Sequence, residues 1–356
     1  MDKNDFFMGR ELIYPEVENT SELITKYMKV NPTIYCGECK FMKPVFKSNT
    51  FHAMVAVDLS GTLLTNSNSF LVDPNFVKDI KNHPHTIKSY DYTHTIFTRI
   101  LRTFNYIQDA NSDEEIEQEM FLLCNSFSGV NIGHELSIMF DRIVTYRKEN
   151  LSCPVVLCKD MLRIQRAYEI IKLLLPSTTF YFIDDDKLVH FKKLWITPNE
   201  VLNITKHPMI SKEVIEKALE HVGDLEPYKN RKIFLVKNNS HKNIVTTSTA
   251  FSCERTKNVL ETEFNYVCIN PEVMPIYEIV AYLYHASKIV TSFGGILYGN
   301  AIFFNPKDEC KRYFLSHTIE DVPYWDKEKY VFLKTPCLDL DAHMIQLLYD
   351  IGEIHI

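Results

Sequence analysis

Short runs of β-branched and aromatic residues recur along the chain, each bounded by polar residues. Between several of them lie longer stretches whose apolar positions repeat at helical spacing. Val155-Val-Leu-Cys158 predicts a strand, Met161 to Leu175 an amphipathic helix stopped by Pro176, and Thr179 to Ile183 the next strand. The pattern resumes with a strand at Lys232 to Val236, a helix from about Ala250 to Phe264, and a strand at Tyr266 to Ile269. Ile276 to His285 follows as a helix carrying Ile276, Ile279, Val280 and Leu283 along one side, and Ile289-Val-Thr291 is a further strand. Strands alternating with helices imply an α/β fold whose parallel sheet is covered by helices on both faces.

The N-terminal half is less regular. Phe51 to Val57 is a strand candidate that runs into Asp58-Leu-Ser-Gly-Thr62, an imperfect echo of a phosphatase nucleophile motif, because Ser60 stands where a second carboxylate is needed. Tyr35-Cys-Gly-Glu-Cys39 has Cys-x-x-Cys spacing, but Pro44 stops any helix after it and no second Cys pair lies nearby, so a loop with two thiols is expected. Lys193 to Asn230, with Pro198, Pro208 and Pro227 around a short helix at Lys212 to His221, reads as an interdomain connection. The expected organisation is residues 1–205 as an N-terminal α/β domain and 206–335 as a C-terminal Rossmann-like domain. A helix in 336–356 would return to the first domain.

Composition narrows the function. A net charge of −7 argues against a general nucleic-acid binder. Apolar residues at 46%, with 12% aromatics, suffice for two cores, yet no run is long enough to span a bilayer. The first residues lack the apolar core of a secretory signal, and nine scattered cysteines suit a reducing compartment, so a cytoplasmic location is expected. Abundant Lys, Asn and Ile with 10 glycines suggest an AT-rich coding genome, of the kind found in large DNA viruses and protists.

Candidate chemistry gathers around Ser292-Phe-Gly-Gly295, where the strand at 289–291 breaks and an apolar pattern at 296–303 suggests a helix. A strand that opens through glycines into a helix lets backbone N–H groups approach a phosphate. The turn is neither the Gly-x-Gly-x-x-Gly dinucleotide fingerprint nor a Walker loop, which leaves a plain tight turn as the alternative. Lys237, Asn238 and Glu272 follow strand ends in the same segment, where ligands of open α/β sheets bind. Asp184-Asp-Asp186 admits a divalent-cation reading; a solvated turn is favoured because Lys187 follows directly.

These residues resemble glycosyltransferase family 61, the group that includes the EGF-domain O-linked N-acetylglucosamine transferases and plant xylosyl- and arabinosyltransferases. The resemblance runs over about residues 125–305. It rests on Lys237 after a strand, Asn270-Pro-Glu272, Ala286, Phe293-Gly-Gly295 and Asn300-Ala-Ile-Phe303, with Asn131-Ile-Gly-His-Glu-Leu136 upstream. Phe293 stands where the family has a turn histidine, and Lys237 where arginine is common. The resemblance implies a GT-B-like fold, two Rossmann-like domains facing across a cleft, with no cofactor and no required metal. Its partners would be a nucleotide-sugar donor, UDP-linked by preference, and a glycan or glycoprotein acceptor. Lys237, Asn238, Glu272, Ser292, Gly294, Gly295 and Asn300 would then serve the donor; Asn300 also suits a purely structural turn. His134, opening a helical run through Leu136, Met139, Phe140 and Ile143, would be the base of an inverting transfer, with Asp141 in support. A catalytically inactive binding module and another nucleotide-dependent α/β enzyme are the alternatives; a dehydrogenase is disfavoured by the missing fingerprint.

Overall fold

The computed structural model describes residues 34–43, 55–60, 103, 106–123, 132–159, 165–184, 186–197, 208–236, 254–271, 273–292, 299–305, 310–316, 330–334 and 349. The chain divides into two compact units. The first comprises Met1–Val130, Ser137–Arg163 and Ser177–Asn203, and the second Asn131–Leu136, Ile164–Pro176 and Ile204–Ile356.

The first unit carries a seven-stranded mixed sheet. Its strands are β1 (Tyr35–Met42), β2 (Val55–Asp58), β3 (Glu114–Ile116), β4 (Met120–Leu122), β5 (Val155–Cys158), β6 (Phe180–Ile183) and β7 (Leu188–Ile196). The order is β2-β1-β7-β4-β5-β6, with β3 also pairing β7. β7 is the hub: β1 runs antiparallel along one edge, while β3 and β4 run parallel to it on the other. Tyr181 of β6 donates a 2.6 Å hydrogen bond to Glu114 of β3. Helix α1 (Ile132–Lys148) joins β4 to β5 and buries Leu136, Met139, Phe140 and Ile143, the residues whose spacing predicts it.

Two expectations fail here, each for its own reason. The Cys-x-x-Cys segment is a strand, β1, and not a loop. Its alternation is interrupted by a bulge between Gly37 and Cys39, where the Tyr35 hydroxyl donates to the Glu38 carbonyl at 2.8 Å and packs so closely that a Cβ on Gly37 would lie 2.6 Å from it. Three residues of extended chain separate the two thiols by about 10 Å, beyond disulfide reach. Lys193 to Ile196, expected to open an interdomain connection, is the end of β7, and the short helix expected downstream is longer, spanning Pro208–Val222. Charged residues masked β7: His190 and Lys192 on one face meet Glu38 of β1 and Glu115 of β3, and Lys193 on the other meets Glu119 just ahead of β4. Asp58 ends β2, which pairs only with β1 and antiparallel to it, unlike the central parallel strand that a phosphatase nucleophile occupies.

The second unit is a five-stranded sheet of β8 (Lys232–Leu235), β9 (Tyr266–Ile269), β10 (Lys288–Ser292), β11 (Lys311–Ser316) and β12 (Tyr330–Lys334). The order is β12-β11-β10-β8-β9, and every pairing is parallel. Ile233, Phe234 and Leu235 of β8 and Ile289, Val290 and Thr291 of β10 are all buried, so both faces are covered, as their unbroken apolar runs require. Among the described residues four helices belong to this unit: α2 (Gln165–Leu174), α3 (Pro208–Val222), α4 (Glu254–Phe264) and α5 (Ile276–Tyr284). α5 buries the predicted stripe Ile276, Ile279, Val280 and Leu283, and α3 packs against it, with the His221 and Tyr277 rings 4.3 Å apart. The molecule is thus α/β, with one mixed and one parallel sheet. Among the described residues no helix is long and apolar enough to cross a membrane.

Candidate functional site

Numbered from β8, the five parallel strands lie in the order 2-1-3-4-5, so the winding direction reverses between β8 and β10. At such a reversal the connections leave the two strands toward opposite faces and a crevice opens at their carboxyl ends. Register brings the exits together: Leu235 of β8 lies beside Thr291 of β10 on one side and Ile269 of β9 on the other. Val236 N–H continues the ladder to the Ile269 carbonyl at 2.8 Å. Lys237 and Asn238 come next after β8, Glu272 three residues after β9, and Ser292 closes β10 ahead of Gly294 and Gly295. Lys237, Asn238, Glu272, Gly294 and Gly295 themselves lie outside the described residues, as does Phe293.

The helix expected over 296–303 is not formed in its described part. Gly299 and Asn300 make a turn and Ala301–Phe303 a single 3-10 turn. One turn carries no useful macrodipole, so backbone N–H groups and basic side chains would have to hold an anion there. Asn300 is fully buried, and its Oδ1 accepts a 2.6 Å hydrogen bond from Nη1 of the buried Arg166.

Arg166 belongs to α2, and a second residue of that helix makes a comparable contact. Glu169 Oε2 accepts from the Ile276 N–H, 2.9 Å, at the start of α5. Pro275, the N-cap, has no side-chain acceptor, so this carboxylate satisfies an otherwise orphan N–H and faces the positive end of the helix. Gln165 holds its other oxygen at 2.8 Å, and Lys217 of α3 donates to the Leu173 carbonyl at 2.8 Å. Neither Arg166 nor Glu169 was singled out by the sequence reading. The available signal was an arginine four residues before Ile170 on the apolar stripe of α2, a stripe completed by Ala167, Ile171 and Leu174.

His134 lies in the first turn of α1 and Asp141 seven residues on in the same helix, half-buried, with its carbonyl accepting from the Thr145 hydroxyl at 3.2 Å. Seven helical residues span about 10 Å of backbone, two turns. Residues 131–136 group with the second unit and Asp141 with the first.

The acidic turn after β6 is engaged by cations. Asp184 pairs with Lys159, which holds its carboxyl below the ordinary range, and Asp186 takes φ 61 with its N–H donating to the Lys43 carbonyl at 2.9 Å. Asp185 lies outside the described residues. Among those described, no three His, Cys, Asp or Glu side chains are grouped to hold a metal. Around β7 the described charges pair with one another. Lys192 bridges Glu38 (3.1 Å) and Glu115 (2.9 Å), His190 reaches both, and Glu119 accepts from Trp195 Nε1 (2.5 Å) and Lys193 (2.9 Å). Hydrogen bonding by Lys192 lowers the carboxyl pKa of Glu38 and Glu115, and burial pushes the Tyr35 phenol up to about 12.

In comparison with known proteins, no family model and no curated protein matches the chain.

Proposed function

We propose that the chain is a glycosyltransferase that binds a nucleotide sugar at the carboxyl edge of its parallel sheet. The supporting observation is the strand reversal between β8 and β10, which brings together the exits leading to Lys237 and Asn238 and to Ser292, Gly294 and Gly295. Lys237 supplies a point charge and the glycine turn exposed N–H groups to the diphosphate; Glu272 meets ribose or sugar hydroxyls. Asn300 shapes the turn through Arg166. The GT-B-like plan is the finer reading of this α/β fold, supported by the division into two units that each carry their own sheet.

In the reaction, an acceptor hydroxyl oxygen on a glycan or glycoprotein attacks the anomeric carbon as its bond to the diphosphate oxygen breaks. The nucleoside diphosphate leaves with the bonding electrons. His134 takes the hydroxyl proton, which gives inversion at that carbon. Asp141, about two turns along α1, acts through intervening groups. No metal is assigned a step, since the leaving charge is met by Lys237 and backbone donors.

The test is calorimetry and donor hydrolysis across UDP- and GDP-sugars. Binding of a UDP-sugar with release of UDP, lost in His134→Ala at unchanged melting temperature, is the expected result. Binding without turnover would favour the inactive module to which Phe293 points, and failure of every nucleotide to bind would remove the reading.

A further inference from the structure

Helix α3 ends at Gly223, whose φ of 73 turns the chain into Asp224 and a 3-10 turn at Glu226–Tyr228, the connection that leads into β8. The Asp224 carboxylate accepts the Glu226 N–H at 3.1 Å, and the Asn230 N–H donates to the His285 carbonyl at 3.0 Å, at the C-cap of α5. The connection is thereby pinned against α5. Tyr228 meets Tyr282 of that helix with ring centroids 4.6 Å apart and planes at 67°. Glu278 stands one turn before Tyr282 on the same side of α5, as i, i+4 spacing requires. Tyr277, further round the helix, is stacked by His221. Burial, then the charge of Glu278, with further shares from Tyr282, Tyr277 and Asp224, push the Tyr228 phenol above its ordinary value, so both carboxylates are felt at this ring.

Packing accounts for the ring contacts but not for the charges beside them. Tyr228, Tyr277 and Tyr282 are half-buried, and among the described residues neither Glu278 nor Asp224 has a cationic partner. The lysines nearby in sequence are engaged elsewhere: Lys229 by Glu226 at 2.5 Å, Lys217 by Glu213 at 2.8 Å and Lys212 by Glu216 at 3.5 Å. Two aromatic rings set at a steep angle, with uncompensated negative charge beside them, attract a cation through the ring quadrupoles and through Coulomb force. Centroids 4.6 Å apart allow one cation to lie within about 6 Å of both. A hard metal ion would need several oxygen ligands, whereas a methylated ammonium sheds water easily and matches the apolar ring faces.

We propose that Tyr228, Tyr282 and Glu278 form a binding site for a quaternary ammonium group, a positive charge clothed in methyls as in choline. The two rings supply the walls, Glu278 the neighbouring countercharge and Asp224 a more distant one. The inference is independent of the nucleotide-sugar reading, since none of these residues is assigned to the nucleotide.

The experiment titrates choline into the full chain by calorimetry, beside its uncharged isostere in which a tert-butyl group replaces the trimethylammonium, with melting temperatures measured alongside. Choline is expected to bind, and the isostere to bind about fivefold more weakly or worse. Tyr282→Phe, which keeps the ring, should bind choline as the wild type does, while Tyr282→Leu should lose about fivefold. Glu278→Gln should lose a similar factor, about fivefold, while melting like the wild type. If Tyr282→Leu does not fold, Glu278→Gln and the isostere carry the same test. No binding of choline by the wild-type chain, equal binding of the isostere, or unchanged affinity in folded Tyr282→Leu or Glu278→Gln would overturn the assignment.

Discussion

The two sheets solve the burial of their strands in opposite ways. In the second unit β8 and β10 each open with a lysine, and the residues that follow it, Ile233 to Leu235 and Ile289 to Thr291, are buried, covered on both faces. In the first unit β7 carries His190, Lys192, Lys193 and Trp195 within the strand, each answered by Glu38 of β1, Glu115 of β3 or Glu119 just ahead of β4. The difference separates polar groups that complete a fold from polar groups left over for a ligand. In the first sheet the charges of β7 are paired with carboxylates; in the second the strand exits that precede the candidate groups come together at a strand reversal.

The strongest way to break the comparison is to damage the second sheet's core. Phe234→Ala in β8 removes a side chain that is almost fully buried, and it should cost about 3–5 kcal/mol in denaturant unfolding. A fragment of residues 206–356, which lacks α2, should likewise show no cooperative transition, because α3 and α5 lose the helix that packs on them. A sharp transition in that fragment would make α2 dispensable.

Lys237→Ala comes next. It should leave the melting temperature unchanged and weaken UDP binding by about 1.5–3 kcal/mol, the range for a hydrogen bond to a charged group, as read by calorimetry. Unchanged affinity would remove Lys237 from the crevice.

In the first unit, Trp195→Phe deletes the indole N–H that Glu119 accepts and should cost about 1 kcal/mol of stability without altering nucleotide affinity. A change in affinity would contradict the division between structural and ligand-directed polar groups.

The smallest effect concerns pH. Lys192 depresses the carboxyl pKa of Glu38 and Glu115, so their contribution is present above the ordinary glutamate range and is lost as pH falls through the lowered folded values. Lys192 is raised by the same contacts, so its share persists below its ordinary value and is lost as pH rises through the folded one. Lys192→Met should flatten the acid limb of melting temperature against pH; an unaltered limb would assign acid sensitivity to other pairs.

Strands β5, β8, β9 and β10 were legible because burial on both faces leaves an apolar run that needs no knowledge of neighbours. β1 and β7 were not, since a bulge at Gly37 broke one alternation and charges broke the other, and their partners are distant in sequence. The candidate crevice shows the same split. The residues after each strand end could be placed from the strand pattern alone. The α2 contacts could not, because Arg166 and Asn300 lie 134 residues apart and Glu169 and Ile276 lie 107 apart.

That separation also has a meaning in time. Helix α2 is synthesised before any strand of the sheet it serves, and Asn300 emerges 134 residues after Arg166. At translation speeds of about 5–20 residues per second, Arg166 must wait roughly 7–27 seconds before that contact can form. The apolar stripe of Ala167, Ile170, Ile171 and Leu174 waits less, because α3, its first packing partner, follows much sooner. The guanidinium therefore waits longest, for Asn300, and slow synthesis of residues 177–300 would prolong that interval.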